Sequence, residues 1–341
     1  MGNFNILEKI KQYRTVSIIG MDKNVGKTTV LNYILGEARG KLTLGLTSIG
    51  RDGEDKDRVI GTDKPRIFIE SGNFIATAKE CLFNGDITKE IIETTGINTP
   101  MGEVIIAKAL SDGYVELGGP SVNNYMKEIC DKLSNLGSEL ILVDGALSRK
   151  TMASPAVTEA CILSTGASLN RSMNKVVEMT SLSAKLLSLE KEADKNVIKI
   201  IEKELSHSRI GIIYKNKETK NLEAVTSLEA AKEIVEELND DVSHVLIRGI
   251  VSDKLLEDIL KSTDKYKGAI FLVEDGTKLF LRNETFEKFI KMGGILKAVN
   301  KINLVCITCN PKSPSGYEFN KNIFLEKLSQ AVSLPVIDVK A

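Results

Sequence analysis

Histidine is nearly absent: 341 residues hold two, His207 and His244. Neither stands near a cysteine or carboxylate cluster of metal-ligand spacing, so a structural zinc site and a His-centred triad find no support. The five cysteines, Cys81, Cys130, Cys161, Cys306 and Cys309, are scattered and odd in number, which argues against a disulfide framework. Cys306 and Cys309 form a Cys-x-x-Cys, but inside the strand-like run "INLVCITCNP". Residues three apart in a strand point to opposite faces, so the pair reads as two core residues. Net charge is missing as well, with 46 Lys and Arg against 46 Asp and Glu. That leaves no electrostatic footprint for nucleic acid or an anionic membrane. No apolar run approaches the roughly 20 residues of a membrane helix. The N-terminal "MGNFNILEKIKQYR" lacks an apolar signal core and reads as a short amphipathic helix. The expectation is a soluble cytoplasmic protein without a nucleic-acid or membrane partner.

What is present is an apolar fraction of 42%, enough for a core, in a chain long enough for one large domain or two ordinary ones. Short apolar runs alternate with helical patterns. "TVSIIG" (15–20), "LTLGLTSIG" (42–50), "RIFIE", "ELILVDG" (139–145) and "ACILSTGA" (160–167) read as strands. "GEVIIAKAL" fits either strand or helix. Thr28 to Glu37 is helical, with Val30, Leu31, Ile34 and Leu35 on one face. A second helix is expected from Pro120 to Leu136, with Val122, Met126, Ile129 and Leu133 in register and Pro120 in its first turn. This alternation predicts an α/β fold, a mostly parallel sheet with helices on both faces, of P-loop NTPase type. The charge-rich "SLEKEADKNVIKIIEKELSHSR" reads as a mostly helical joint. After it come a strand "HVLIRGIVS", a helix "DKLLEDILKS" capped by Asp253, two strands around an Asp-Gly turn in "GAIFLVEDGTKLFLR", a helix "TFEKFIKMG", a strand "INLVCITC", a helix "FLEKLSQAV" and a final strand "LPVIDV". The expected domains are 1–200, a P-loop NTPase domain, and 205–341, a second α/β part. The pattern leaves open whether the last strands, 302–341, rejoin the first sheet.

The chemistry concentrates in "VSIIGMDKNVGKTTVLNYIL" (16–35). A buried strand delivers the chain to a glycine-bearing turn that opens a helix. Backbone N–H groups of the turn and the helix N-terminus make an anion site. Lys27 supplies a charge for the β and γ phosphates and Thr28 a hydroxyl for Mg²⁺. The candidate nucleotide-binding set is Asp22, Lys23, Asn24, Val25, Gly26, Lys27, Thr28 and Thr29. In the usual spacing of such loops the first glycine would fall at Met21, whereas the nearest glycine is Gly20. "ELILVDGA" ends an apolar strand in Asp144, where a Walker B carboxylate would hold the metal. The loop "SIGRDGEDKD" (48–57) offers Asp52, ahead of Glu54, to hold Mg²⁺ or orient the attacking water, and Arg51 to neutralise phosphate charge. Lys27, Asp52 and Asp144 are thus the expected catalytic residues, and Thr28, Asp52 and Asp144 the expected metal ligands. "ELGGPS" (116–121) and "STGAS" (164–168) read equally as ligand loops or as ordinary turns, and Arg149 as a phosphate-facing or a surface arginine. "NKVV" at 174 and "NKIN" at 300 lack the aspartate of the guanine-reading Asn-Lys-x-Asp. Adenine, and hence ATP, is the expected base, with Asn310 in "TCNPKSPSG" as a candidate contact.

The loop "GMDKNVGKTT" resembles the "GTDTxVGKT" loop of dethiobiotin synthetase and its relatives. Five residues separate the two glycines in that pattern, as they separate Gly20 from Gly26. Asp22, Val25, Gly26, Lys27 and Thr28 match residue for residue, while Met21 and Lys23 replace threonines. The resemblance points to the signal-recognition-particle, MinD and BioD class of P-loop NTPases. It implies Lys27 on phosphate, Thr28 on Mg²⁺, and metal-holding roles for the acidic residues at Asp52 and Asp144. The signature lysine of MinD-type loops falls here on Asp22, with Lys23 one residue off. A lysine passed across a dimer interface is therefore not implied, and a homodimer is left open.

Over nearly its full length the chain resembles the ATPase subunits of lysine 5,6-aminomutase reactivases, on "GMDKNVGKTT", "GLTSIGRDGE", "VELGGPS", "LVDGALSRKT" and "ITCNPKSPSG". That resemblance implies ATP-driven conformational change, a second reactivase subunit, and an adenosylcobalamin-dependent aminomutase relieved of damaged cobalamin. The chain has no Asp-x-His-x-x-Gly cobalamin motif of its own. The alternative is an ATP-dependent small-molecule synthetase or ligase of the dethiobiotin-synthetase type. The long second half favours the conformational ATPase, since a compact synthetase needs about one domain's length. A cobyrinate-type amidase would need a cysteine elbow before its histidine. A metallochaperone GTPase would need a His/Cys-rich segment.

Overall fold

Hydrophobic patterning in the first half is that of strands buried on both faces, and a computed structural model shows what they build. It describes residues 4–49, 66–145, 154–224 and 227–340. The chain divides into two compact units, 1–180 with 303–341, and 181–302.

The first unit runs α1 (Ile6–Ile10), β1 (Thr15–Gly20), α2 (Lys27–Ala38), β2 (Leu44–Ser48), β3 (Ile67–Ile69), β4 (Phe74–Ala78), α3 (Lys79–Phe83), β5 (Lys89–Thr99), β6 (Gly102–Ala109), β7 (Gly113–Val115), α4 (Asn123–Asn135), β8 (Leu140–Asp144) and β9 (Ala160–Gly166). The helix α5 (Met173–Leu187) then crosses the division at 180/181. The second unit continues with α6 (Lys195–Lys203), β10 (Ile210–Tyr214), β11 (Thr219–Leu222), α7 (Ser227–Glu237), β12 (Val242–Ile247), β13 (Val251–Ser252), α8 (Asp253–Ser262), β14 (Ile270–Val273), β15 (Leu279–Phe280), α9 (Asn283–Lys291) and β16 (Ile295–Ala298). The chain returns to the first unit as β17 (Leu304–Asn310), α10 (Lys321–Ala331) and β18 (Val336–Ile337).

Nine strands form the main sheet, in the order β18-β17-β9-β1-β8-β2-β4-β6-β5. All neighbours are parallel as far as β4; β6 then runs antiparallel to both β4 and β5. The fold is therefore α/β, with a large, mostly parallel sheet flanked by helices. Alternation along β8 shows how both faces are covered. Leu140 and Leu142 join the apolar cluster of α1 and α2, which includes Ile6, Leu31 and Ile34. Ile141 and Val143, also fully buried, point the other way, and α4 lies beside β2, β4 and β8 with Met126, Ile129 and Leu133 buried. Each such buried side chain contributes on the order of 1.5–3 kcal/mol. Cys306 belongs to the α1/α2 cluster and Cys309 to one with Val176, Phe324 and Leu328, so the two face opposite ways, as a strand requires. All five cysteines are buried thiols outside any disulfide.

The second unit holds a five-stranded sheet, β11-β10-β12-β14-β16, whose last three strands are parallel. Phe271 and Val273 face the cluster of α7, α8 and α9, while Leu272 faces Val197 and Ile201 of α6. The charge-rich stretch read as a joint is thus part of this unit. Its alternating apolar residues cover one face of the sheet, and the observed division at 180/181 falls earlier than the expected 200/205. The segment 302–341 returns through β17 and β18 to the first sheet.

Three local expectations are corrected. The helix expected from Pro120 begins at Asn123, with exposed Val122 as its N-cap, because the preceding segment is held extended: Gly118 N–H donates to the buried Thr77 hydroxyl at 2.8 Å. The Asp-Gly turn does not fold β14 and β15 into a hairpin. Asp275 instead accepts from Thr277 N at 2.8 Å in a short 3₁₀ turn, and β15 pairs in parallel with β13. Ser252, rather than Asp253, caps α8, leaving Asp253 to accept from the backbone and side chain of Arg282 at 2.9 and 3.0 Å. Among the described residues no helix is long and apolar enough to cross a membrane.

Candidate functional site

Strand β1 lies in the interior of the sheet, between β9 and β8. The chain leaves β1 for strands on one side and β8 for strands on the other, so their C-terminal ends lie where an open parallel sheet presents its crevice. The loop 21–26 occupies that end. Its conformation is set residue by residue. Met21 N–H donates to Ser164 O at 2.8 Å, which ties the loop to β9. Ser168 Oγ donates to Lys23 O at 2.9 Å, so the "STGAS" segment buttresses the loop. Asn24 adopts φ +60°, which asparagine tolerates better than most residues. Val25 is 1% exposed and anchors the turn. Gly26 is the N-cap of α2 at φ +96°, a left-handed conformation that costs other residues about 1–2 kcal/mol. A glycine N-cap has no side chain to offer the first N–H groups of the helix, which leaves them to other partners.

Lys27 is the first residue of α2, and its side chain turns back over the end of β1. A Cβ on Gly20 would fall 2.6 Å from its Nζ and 2.8 Å from its Cδ. The glycine one place earlier than the usual spacing is therefore the floor on which the lysine lies. The ammonium donates to Asp22 O at 3.0 Å. Burial depresses its pKa below the usual lysine range, and the carboxylates of Asp144 and then Asp22 oppose that shift. Asp22 has a local role as well, its Oδ1 accepting Lys23 N–H at 2.7 Å. Asp144 ends β8 directly beside Ile18 of β1 and Ser48 of β2, and its carbonyl accepts Ile49 N–H at 2.9 Å. The backbone thus fixes a carboxylate next to the loop that carries Lys27. Thr28 and Thr29 lie in the first turn of α2.

Asn310, at the end of β17, donates from Nδ2 to Asn24 O at 3.1 Å and accepts Lys312 N–H on Oδ1 at 3.1 Å. Its amide ties the returning segment to the loop. Beside it opens a cavity of about 380 Å³, walled by Gly26 and Thr29 on one side and by Cys309, Asn310, Lys321 and Asp338 on the other. Lys312, Lys321 and Asp338 did not emerge from the sequence. The signal was there: Asp338 follows the apolar run "LPVI" as Asp144 follows "LILV". The expected residues Asp22 to Thr29, Asp144 and Asn310 come together around β1. Arg51, Asp52, Glu54 and Arg149 lie outside the described residues.

The donor set fits a phosphate chain with a divalent cation. Lys27 lies over Gly20, Gly26 opens the helix, Thr28 follows in its first turn, and the neighbouring strand ends in Asp144. Such a pair of protein ligands is what Mg²⁺ uses when phosphates and water complete its shell. Comparison with family models, with curated proteins and with solved structures returns no match.

Proposed function

We propose that this chain binds Mg²⁺–ATP at the C-terminal ends of β1 and β8 and hydrolyses it to drive a conformational change in a partner protein. The observation that carries the proposal is Lys27 folded over Gly20, on a strand whose neighbour ends in Asp144. Lys27 and the N–H groups of 22–28 bind and orient the phosphates. They stabilise the charge that grows on the bridging and terminal oxygens during transfer. Thr28 Oγ1 and the Asp144 carboxylate would hold Mg²⁺, which would supply neutralising charge to the phosphates. Asp52 is the residue we assign to the metal or the attacking water from the 48–57 loop. The burial that depresses the Lys27 pKa makes its charge more effective toward a phosphate, because little water competes for it.

The resemblance read from the sequence supplies the partner in this proposal: a second reactivase subunit together with an adenosylcobalamin-dependent lysine 5,6-aminomutase, which ATP turnover would relieve of damaged cobalamin. Lys27→Ala should abolish ATP hydrolysis while the thermal melt remains cooperative; parental ATPase activity in that variant would overturn the site. Purified wild-type chain mixed with the aminomutase and its second subunit should restore activity to inactivated mutase only with ATP present. Restoration that is indifferent to ATP, or none, would overturn the reactivase assignment.

A further inference from the structure

The cavity beside Gly26 contains one carboxylate, and its surroundings determine what it can recognise. The Asp338 side chain is only 6% exposed, and Lys321 Nζ lies 3.6 Å from its Oδ2. Its Oδ1 already accepts Lys340 N–H at 2.9 Å. Oδ2 keeps acceptor capacity for a ligand and has an ammonium donor next to it. Asn310, the other candidate base contact beside the cavity, spends one donor and one acceptor position within the loops. At about 380 Å³ the cavity is of ligand size and continues directly from the phosphate cradle at Gly26 and Thr29.

We propose that Asp338 is the base-reading residue of this site, accepting a hydrogen bond from the 6-amino group of adenine through Oδ2. This rests on the nucleotide-binding function proposed above. Guanine offers two donors side by side, N1–H and the 2-amino group, and satisfying both calls for both carboxylate oxygens. Oδ1 spends one of its acceptor positions on Lys340 N–H, so the carboxylate has less left for guanine's paired donors than for adenine's single amino donor. Adenine N1 is an acceptor, and the Lys321 ammonium beside Oδ2 is the donor complementary to it. The specificity determinant thus comes from the last strand of the sheet, far in sequence from the phosphate loop.

Binding of ATP, purine riboside 5′-triphosphate, which lacks the 6-amino group, and GTP to the wild-type chain and to Asp338→Ala tests this. Wild type should bind ATP at least about tenfold more tightly than either analogue, as expected for loss of one hydrogen bond to a charged group. Asp338→Ala should bind ATP and purine riboside triphosphate alike, so that the protein change and the ligand change are coupled. The wild-type comparison needs no variant and stands even if the substitution disturbs folding. Wild type that binds ATP no better than the deaminated analogue, or GTP more tightly than ATP, would overturn the adenine assignment while leaving the phosphate site intact. A variant that keeps the full preference for ATP would overturn the role of Asp338. Failure of wild type to bind any of the three would instead overturn the nucleotide site itself.

Discussion

Gly20→Ala separates a phosphate loop of this shape from a strand–turn–helix that merely carries lysine. The new methyl would lie 2.6 Å from Lys27 Nζ, 2.8 Å from Lys27 Cδ and 2.8 Å from Val25 Cγ2. Carbon atoms in good contact sit about 3.5–4.0 Å apart. The ammonium can swing away, but Cδ must follow, and the third close neighbour, Val25, is buried. Overpacking of this kind costs about 1–3 kcal/mol of stability. The larger consequence is directional, because the lysine leaves the position in which it donates to Asp22 O and faces the phosphate cradle. A charge-assisted hydrogen bond is worth about 1.5–3 kcal/mol, so Mg²⁺–ATP affinity should fall about 10- to 150-fold. The assay is calorimetric titration with Mg²⁺–ATP alongside a thermal melt. Gly36→Ala is the control: it lies exposed within α2, and nothing stands within 4 Å of its added methyl. It should stabilise the protein by about 0.4–1 kcal/mol and leave affinity unchanged. A folded Gly20→Ala that binds nucleotide as tightly as the parent would refute the reasoning.

Three further outcomes follow from buried titratable groups. Because burial holds the Lys27 pKa below its unfolded value, the charged lysine destabilises the nucleotide-free fold, a penalty relieved as pH rises toward about 10.5. Lys27→Met should therefore melt at or above the parental temperature near neutral pH, with the gap closing in alkali; a markedly lower melt would contradict this. In the second unit, burial depresses the His244 pKa against Glu192, whose Oε2 lies 3.6 Å from Nε2, with Lys297 and Asp194 also acting on the ring. A depressed folded pKa gives stability that is present above about pH 6.5 and lost as pH falls through the folded value. Denaturant midpoints at about pH 7.5 and about pH 5.5 should show a smaller acid loss in His244→Gln than in the parent; equal losses would remove His244 from the account. Burial pushes the thiols of Cys130, Cys306 and Cys309 up to about 12. Native protein should leave all five cysteines unlabelled by a thiol reagent while denatured protein labels all five, and fast labelling of the folded chain would count against this packing.

Legibility in the sequence followed how local the determining physics is. The helix face of Val30, Leu31, Ile34 and Leu35 was readable because period and burial coincide in one short run, and all four are buried. The opposed Cys306 and Cys309 were readable for the same reason, since strand alternation alone separates them. Errors arose where a distant partner overrode a local rule. Pro120 is a good helix starter by itself, yet the segment before α4 is held extended by Thr77, some forty residues earlier in the chain. Asp-Gly is a good hairpin signal by itself, yet β13 offers β15 a parallel partner. The candidate site divides along the same line. The phosphate loop is contiguous, so its lysine, glycine and threonines could be named from spacing. Gly20 could be placed only by a pattern borrowed from other loops, and its physical role needed the path of the Lys27 side chain across it. Lys312, Lys321 and Asp338 reach the cavity only because the chain leaves the first unit at 180, completes a second sheet, and returns at 303 to lay β17 and β18 beside β9. No window of sequence contains both Gly26 and Asp338. The Asn310–Asn24 hydrogen bond that joins their segments spans 286 residues. The proposed phosphate-binding part of this site is therefore encoded locally and the proposed base-reading part topologically. A substitution in the returning segment should accordingly change which nucleotide binds more than whether phosphate is held.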